Sequence, residues 1–443
     1  MIHSKSKIQN PKFSFLRYEC YKASGIEWVG TIPSHWDVKP GRVTLALNKE
    51  KNAGNIEETV LSLSYGRLVI KPPEKMTGLV PESLEGYQII NPGDIIIRPT
   101  DLQNDWTSLR VGLAKNRGII TSAYLGLKHD EKISSEYLYY LLHSYDLLKV
   151  YYGMGTGLRQ NLSWDDFKYL PLTLPPKPEQ DRIVAFLDQK TAEIDALITK
   201  KQRQIELLDE QKAILINRAV TRGLNPNAKL KPSGSKWIGQ IPTHWETGRL
   251  KHHCIKIVDC PHATPIYDPD GEHPAIRTAD VTPGHIDLNG AKRLSKAEFS
   301  RWTERMVPRF GDILYSREGE RFGIAAPLPP DSDLCISQRM MAFRPSQDVS
   351  SQFLMWQLNC RHVYLQACQD VTGSAAPHVN IGTIANYQLV LPPLVEQEEI
   401  ATFISDSDRK SRSIISKIES QIESLKTLRS TLIAHAVTGR IKV

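Results

Sequence analysis

Apolar residues recur every three or four positions along two long stretches of the chain, a period that predicts amphipathic α-helices. The first stretch runs from Glu179 to Arg222, and its 44 residues would extend over about 66 Å as one unbroken helix. Pro178 near its start and Gly223 after its end are typical helix boundaries. The second stretch follows Pro393 and precedes Gly439, so the sequence predicts two long helices of similar length.

The spacing of these apolar positions is typical of a coiled-coil seam, although Lys201 and Lys212 interrupt it. Because the two stretches match in register, we expect them to pair with each other and to run antiparallel. The alternative is two unrelated helices, each packed on its own domain. The predicted helix-pairing residues are Leu187, Ile194, Ile198, Ile205, Leu208, Leu215, Ile404, Ile415, Ile418, Ile422, Leu425 and Leu432.

The rest of the chain has the pattern of a mixed α/β (α+β) fold. Short β-branched runs such as "DIIIR" from Asp94 are separated by Gly and Pro, and "SEYLYYLLHSYDLL" from Ser135 predicts a helix. The run "QFLMWQLNCRHVYLQA" from Gln352 is its counterpart later in the chain. We therefore expect two homologous globular domains joined by the two long helices.

Several phrases occur twice, which indicates an internal duplication. "WVGTIPSHWD" from Trp28 returns as "WIGQIPTHWE" from Trp237, 209 positions later. "LPPKPEQDRIVAFL" from Leu174 returns as "LPPLVEQEEIATFI" from Leu391, 217 positions later, and this offset holds through both helices. The predicted parts are an N-terminal extension (1–23), a first globular domain (24–173) with its helix (174–224), and a second globular domain (225–390) with its helix (391–443).

Composition narrows the classes of protein. The 443 residues carry 56 Lys and Arg against 49 Asp and Glu, a formal charge of +7 that is consistent with a polyanionic partner such as nucleic acid. Six cysteines without a Cys-x-x-Cys pair do not resemble a secreted disulfide framework. No stretch has the pattern of a signal peptide or membrane span, so we expect a cytoplasmic protein that does not contact membranes.

Candidate catalytic and metal-binding patterns are weak. "GMGTG" from Gly153 lacks the Lys-Ser/Thr of a phosphate-binding loop, and "DPDGE" from Asp268 is an incomplete calcium loop that better fits a turn. His253, Cys254, Cys260 and His262 could in principle ligate zinc, but their spacing fits no standard finger. The Asn-Pro-Pro-aromatic tetrad of a DNA methyltransferase is missing. We therefore expect a binding protein with no catalytic residue, no metal and no cofactor of its own.

Arginine and lysine residues in the two globular domains are candidates for DNA binding, because guanidinium groups suit phosphates and the guanine edge. Each of them alone fits a solvated surface charge better than a contact residue, and only their parallel placement in both copies favours binding. The candidates are Arg98, Arg110, Lys115 and Arg117 in the first copy and Arg317, Arg321 and Arg339 in the second.

Taken together, these phrases resemble the specificity subunit of a type I restriction-modification system. The matching residues are "GIEWVGTIPSHWDV", "KWIGQIPTHWE", both "LPP" and "EQ" helix starts, the "GDI" turns at Gly93 and Gly311, "DCPHATP" from Asp259, "AVTRG" and "AVTGR". The resemblance implies that each globular domain is a target-recognition domain for one half of a split, asymmetric double-stranded DNA site. It also implies that the helices set the gap between the two halves.

The same resemblance implies further partners and site residues. Two methyltransferase subunits carrying S-adenosylmethionine would dock on the chain, and a motor-nuclease restriction subunit would be a further partner. The loops before the last strand of each domain would add Arg159, Gln160, Asn161, Ser374 and His378 to the DNA-binding candidates. The alternatives are a specificity subunit without a motor subunit, a DNA-modifying enzyme with unrecognised chemistry, and a coiled-coil scaffold.

Overall fold

The computed structural model describes residues 16–72, 83–154, 161–261, 263–330, 332–370 and 377–443. The chain forms two compact units. The first unit comprises Met1–Lys201 with Ser420–Val443, and the second comprises Gln202–Glu419. Both are mixed α/β, which confirms the predicted fold class.

The globular part of the first unit is built from short strands, one helix of three turns and one short helix. The strands are β1 (Tyr21–Ala23), β2 (Thr31–Pro33), β3 (Asp37–Pro40), β4 (Leu45–Leu47), β5 (Leu61–Ser64), β6 (Arg67–Ile70), β7 (Gln88–Ile90), β8 (Ile95–Ile97), β9 (Val111–Leu113), β10 (Gly118–Ile120), β11 (Leu125–His129) and β12 (Pro171–Leu174). The helices are α1 (Ser135–Leu147), α2 (Trp164–Lys168) and the long α3 (Lys177–Arg222). Short 3-10 turns cover Gly41–Val43, Ala53–Asn55 and Val150–Gly153.

An antiparallel sheet of order β4-β11-β8-β9 lies at the centre of the first unit. Its strands are short, β8 is fully buried, and helix α1 packs against β9. Ser134 caps α1 by accepting a hydrogen bond from the Tyr137 N–H at 3.2 Å. The helix predicted from "SEYLYYLLHSYDLL" is therefore confirmed.

The second unit repeats this plan with additional strands and helices. Its strands are β13 (Leu230–Pro232), β14 (Gln240–Pro242), β15 (Glu246–Arg249), β16 (Cys254–Asp259), β17 (His273–Ile276), β18 (Val281–Thr282), β19 (His285–Ile286), β20 (Lys292–Leu294), β21 (Ile313–Ser316), β22 (Ala325–Pro327), β23 (Cys335–Ile336), β24 (Met340–Pro345) and β25 (Gln388–Leu391). Its helices are α4 (Lys296–Trp302), α5 (Ser351–Leu358), α6 (Arg361–Cys368), α7 (Ile381–Ala385) and the long α8 (Leu394–Val437). Two 3-10 turns cover Leu250–His252 and Thr278–Asp280.

The central sheet of the second unit, β16-β24-β21-β22, corresponds strand by strand to that of the first. The registers agree, since Ile95 lies opposite Leu113 and Ile313 lies opposite Pro327. One prediction differs from the structure. The run from Gln352 forms two helices, α5 and α6, because the Asn359 side chain accepts from the Ala325 N–H and donates to the Ala325 and Met355 carbonyls, all at 2.9–3.0 Å.

The long helices contribute to both units and pair antiparallel within each. In the first unit, Lys201 Nζ donates to Gln421 Oε1 at 2.6 Å, and Asp195 lies 3.2 Å from Arg429. In the second unit, Lys212 Nζ lies 3.5 Å from Asp408. The lysines that interrupt the apolar seam therefore face polar partners on the opposite helix. Each predicted seam residue is buried or half-buried, with Leu187 and Ile404 fully covered.

The repeated Trp-rich phrase holds the start of each long helix. His35 Nε2 lies 2.8 Å from Glu179 Oε2, and the Trp36 indole N–H donates to Glu179 Oε1 at 3.1 Å. The phrase in the second unit makes the same contacts with Glu396, where His244 lies at 2.7 Å and the Trp245 indole N–H at 3.0 Å. The following glutamines reach the globular part, since Gln180 accepts from Ser134 N–H and Gln397 from Ser350 N–H.

The same phrase also meets the end of the other long helix. Gly439 follows α8 with φ +70°, and a Cβ there would lie 2.2 Å from Pro33 and 3.3 Å from Trp36. Gly223 follows α3 with φ +73°, and a Cβ there would lie 3.1 Å from Trp245. Both glycines adopt the left-handed conformation common after a helix. In each unit, one phrase therefore joins the beginning of one long helix to the end of the other.

Candidate nucleic-acid interface

The residues between β8 and β9 leave the sheet of the first unit at one end, which we call the loop end. It is defined by the Arg98 N–H donating to the Arg110 carbonyl at 2.8 Å. The corresponding bond in the second unit joins Ser316 N–H to the Ile324 carbonyl at 2.8 Å. The loop end of the second unit therefore lies where β21 runs into residues 317–323.

The first-unit candidates do not form one cluster. Arg98 and Arg110 lie at the loop end, whereas Lys115 and Arg117 lie beyond the opposite end of β9. Arg117 donates to Asn91 Oδ1 at 2.7 Å and lies 3.3 Å from Glu57, and Lys115 is exposed. The sequence placed all four together because it cannot show which end of a short strand pair a side chain occupies.

Arg110 is fully buried, unlike the surface contact expected from the sequence. Its guanidinium donates to the carbonyls of Thr100 at 2.7 Å and Asp105 at 2.6 Å, and its Nε donates to the Tyr152 hydroxyl at 3.1 Å. Its own N–H donates to Asp146, whose pKa burial raises to about 6. Arg110 therefore holds the loop from inside the unit and has no surface to offer DNA.

Trp106 is one of the exposed residues of this loop, and Arg98 is half-exposed. Arg98 lies 3.5 Å from Asp105, whose pKa is lowered to about 2, chiefly by hydrogen bonds from Ser108. Trp106 is 53% exposed and stacks on Tyr152 with ring centroids 4.5 Å apart. Sequence reasoning missed Trp106, although a tryptophan inside the polar run "DLQNDWTSLR" is an unusual feature for a loop.

Asn161 and Leu162 contact the same loop. Asn161 Oδ1 accepts from the Asp101 N–H at 3.0 Å, and the Leu162 N–H donates to the Pro99 carbonyl at 2.8 Å. The side chain of Asn161 thus supports the loop. Arg159 and Gln160 lie outside the described residues.

Arg317 lies at the loop end of the second unit, but it is nearly buried between two carboxylates. Its Nη2 lies 3.4 Å from Asp259 Oδ2 and also pairs with Glu318, and its side chain is 7% exposed. Its N–H donates to the Arg339 carbonyl at 2.9 Å. In this structure, Arg317 joins β16, β21 and β24 and presents little surface, in contrast to the base or phosphate contact expected from the sequence.

A groove of about 300 Å³ opens beside Arg317. Gln338 is fixed there by donating to Thr264 Oγ1 at 2.6 Å and to the Ala263 carbonyl at 3.0 Å. Arg339 is 53% exposed and has φ +68°, a backbone conformation that costs about 1 kcal/mol for a residue with a Cβ. The lining residues are Cys260, Pro261, Ala263, Thr264, Glu318, Gln338 and Arg339. An exposed arginine in a strained backbone beside a polar groove is suited to nucleic-acid recognition.

The remaining second-unit candidates lie around this groove or away from it. His378 pairs through its backbone with Glu318, next to the Gly319 N–H that donates to the Pro377 carbonyl at 2.8 Å. Arg321 is exposed, and its guanidinium donates to the Val281 carbonyl at 2.6 Å. Ser374 lies outside the described residues.

The candidate zinc ligands cannot share one ion. Cys254 begins β16 and Cys260 follows its end, so they are about 20 Å apart along an extended strand. His253 Nδ1 lies 2.7 Å from Asp348, and His262 lies outside the described residues. In "DPDGE", Asp270 N–H donates to Asp268 Oδ1 and Gly271 N–H to the Asp268 carbonyl, so this segment is a turn. Among the described residues, no group of three or more His, Cys, Asp or Glu side chains could hold a metal ion.

The thiols of Cys254, Cys260 and Cys335 are at least half-buried and are placed for packing more than for reaction. Burial raises the pKa of Cys254 and of Cys335 to about 12 and also raises that of Cys260. A thiol with a raised pKa is a poor nucleophile near neutral pH. No helix in the described part of the chain combines the length and the apolar content that a membrane crossing requires.

Comparison with known proteins connects this arrangement to one family. The model of the type I restriction modification DNA specificity domain matches residues 120–207 and 267–424. The MjaVIII specificity subunit of Methanocaldococcus jannaschii, named as part of a type I restriction enzyme, is 25% identical over 398 residues. That alignment covers 84% of this chain and 90% of the relative.

Two further proteins resemble nearly the whole chain. A putative MjaX specificity subunit of a type I restriction enzyme, from the same organism, is 24% identical over 452 residues, covering 97% of this chain and 98% of that protein. A chain solved in work on the assembly and conformational transition of the type I R-M system has a TM-score of 0.64 and 16% identity. It covers 92% of this chain and 98% of its own length, so the two share a fold.

Proposed function

This chain belongs to the type I restriction modification DNA specificity family, and we propose that each of its two units reads one half of a split, asymmetric DNA site. The observation that carries this proposal is the repeated loop end. Arg98 at one loop end is half-exposed and Arg339 at the other is exposed, and both lie beside buried arginines that hold the local backbone in place. Two equivalent surfaces in one chain suit a site with two separate halves.

The proposed recognition domains are residues 24–173 and 225–390, and the proposed spacers are residues 174–224 and 391–443, after an extension of residues 1–23. The half-exposed Arg98 and the exposed Lys115, Arg117, Arg321 and Arg339 supply positive charge to these domains. Phosphate contacts by such residues position a protein on DNA, and contacts to base edges give specificity. The long helices set the gap between the two half-sites.

The chain acts as a recognition subunit without catalysis of its own. Two methyltransferase subunits supply S-adenosylmethionine chemistry, and a motor-nuclease restriction subunit is a further partner. The complex works on chromosomal DNA in the cytoplasm. At the loop ends, the carboxylates of Asp105, Asp259 and Glu318 each pair with an arginine. These ion pairs support a role in recognition without catalysis.

The test is to co-express the chain with the methyltransferase encoded beside it and to map methylated bases across the host genome. We expect one bipartite motif with a fixed gap, and no methylation when either protein is expressed alone. Methyl transfer or DNA cleavage by the purified chain alone would instead identify an enzyme. Absence of DNA binding even with the methyltransferase present would identify a scaffold.

A further inference from the structure

Trp106 exposes hydrocarbon at the loop end of the first unit. Its indole N–H donates to the Gln103 carbonyl at 3.1 Å, so the polar edge of the ring is turned toward its own loop. One face of the ring is covered by Tyr152 at 4.5 Å with an interplanar angle of 28°. The exposed half of this side chain is therefore carbon surface, which gains free energy when a partner covers it.

The loop that carries Trp106 is fixed before any partner binds. Arg110 donates to the carbonyls of Thr100 and Asp105 from beneath the loop, and Lys149 Nζ donates to the Trp106 carbonyl. The Lys149 ammonium also lies 4.6 Å from the centre of the Tyr152 ring. A large aromatic side chain held exposed on a rigid loop is typical of a contact residue, because little entropy is lost when it is covered.

Two cationic side chains lie close to Trp106. Arg98 is 37% exposed nearby, and Lys149 lies under the same ring stack. The two acidic side chains of the loop are turned onto its own donors. Asp101 Oδ1 accepts from Asn104 Nδ2 at 2.8 Å, and Asp105 Oδ1 accepts from the Ser108 N–H at 2.9 Å.

We propose that Trp106 packs against the hydrocarbon surface of DNA in the half-site read by the first unit. This surface is either a thymine methyl group or the carbon face of a deoxyribose, both of which an indole can cover. The inference rests on the proposed function and adds a specificity contact that is apolar. Arg98 supplies the adjoining charge.

The experiment uses the full chain in complex with its methyltransferase and compares Trp106→Ala, Trp106→Phe and Tyr169→Ala. Tyr169 is the matched control because it is also an exposed aromatic with a cation over its ring, but it follows α2 at the end of the unit opposite the loop end. We expect Trp106→Ala to weaken binding to the mapped site by about tenfold, in line with the loss of one aromatic contact to nucleic acid. Trp106→Phe should retain most of the affinity, and Tyr169→Ala should leave it unchanged.

Binding to DNA that contains deoxyuridine distinguishes a contact with a thymine methyl group from a contact with a deoxyribose. Replacing each thymine of the first half-site by deoxyuridine removes its methyl group, so a methyl contact predicts weaker binding by the wild type and no further loss in Trp106→Ala. A deoxyribose contact predicts no effect of deoxyuridine, with the loss in Trp106→Ala unchanged.

The proposal fails if Trp106→Ala binds the mapped site as well as the wild type does. It also fails if Trp106→Ala no longer assembles with the methyltransferase on size-exclusion chromatography, because the indole would then contact protein. Both results would leave the methylation motif of the wild-type complex, and therefore the proposed function, unaffected. If the wild-type complex methylates no bipartite motif, the proposed function itself is wrong.

Discussion

The indole N–H of Trp245 donates a hydrogen bond to Glu396 at 3.0 Å, and this bond ties a phrase of the globular part to the first turn of a long helix. Trp36 and Glu179 form the same pair in the first unit at 3.1 Å. The two glutamates differ in environment, because the Glu179 side chain is 6% exposed and that of Glu396 is 35% exposed. The Tyr18 hydroxyl also donates to Glu179.

Removing these carboxylates should destabilise the two units unequally. Glu179→Ala removes the acceptor of the buried Trp36 indole, of the half-buried Tyr18 hydroxyl and of the exposed His35 ring, and we expect it to lower the free energy of unfolding by about 1–3 kcal/mol. Glu396→Ala should have a smaller effect, because Glu396 itself is 35% exposed to water and has no third partner corresponding to Tyr18 among the described residues of the second unit. Denaturant unfolding of both variants measures the difference, with Glu193→Ala on the exposed face of α3 as the control. Equal losses for Glu179→Ala and Glu396→Ala would contradict this explanation.

The stability of the second unit should depend on pH through the ionisation of Asp408. Burial would raise its pKa, but hydrogen bonds from His285 and Arg412, with Lys212 nearby, lower it to about 2. Because the pKa is lower in the folded state, its contribution is present above pH 3.8 and is lost as the pH falls toward about 2. We expect Asp408→Asn to remove about 2 kcal/mol at pH 5 and little near pH 2.

The measurement is urea unfolding at both pH values. Asp406→Asn on the same helix is the matched control, because Asp406 is half-exposed and pairs only with Arg409 among the ion pairs of the described residues. A loss in Asp408→Asn that stays the same from pH 5 to pH 2 would show that packing, and not ionisation, is responsible.

Arg98→Ala and Arg339→Ala should affect different halves of the methylated motif. An arginine that contacts a base edge should cost about 1–3 kcal/mol when removed and relax one position, whereas a phosphate contact should weaken all sequences and reduce the salt slope by about one. Methylation mapping and binding at several salt concentrations distinguish these results. If the variants have an unchanged motif, affinity and salt slope, both arginines are surface charges that do not contact DNA.

The sequence predicted the long helices well and the arginine roles poorly, for physical reasons. Helix α3 begins at Lys177 and ends at Arg222, close to the predicted bounds, because Pro178, Gly223 and the apolar period are local signals. The role of Arg110 depends on Tyr152, 42 positions later, and on carbonyls that carry no side-chain signature. Likewise, the break between α5 and α6 depends on the bonds of Asn359 to Ala325, a residue from another strand.

Lengthening both long helices tests whether they set the gap. Insertion of one heptad after Gln202 and one after Glu419 falls within one residue of the boundary between the two units, so the contacts inside each unit are kept. Each helix grows by about 10 Å, equal to roughly three base pairs of B-DNA. We expect a longer gap, by up to that amount, with unchanged half-sites and weaker binding, because three pairs also rotate the second half-site by roughly 100°.

The methylation map of the double-insertion variant gives the gap directly. An insertion in α3 alone is the control, since it shifts α3 against its partner and should reduce folding of the paired helices. A folded and active double variant that kept the original gap would show that another part of the complex sets the spacing.

The central claim is that one chain carries two independent half-site readers, and exchanging one of them tests it most directly. Residues 233–390 are replaced by the matching segment of a relative with a different motif, and methylated bases are mapped in cells that contain the methyltransferase. We expect one half of the motif to change to that of the relative while the other half and the gap are retained. A change in both halves, or in neither, would contradict it.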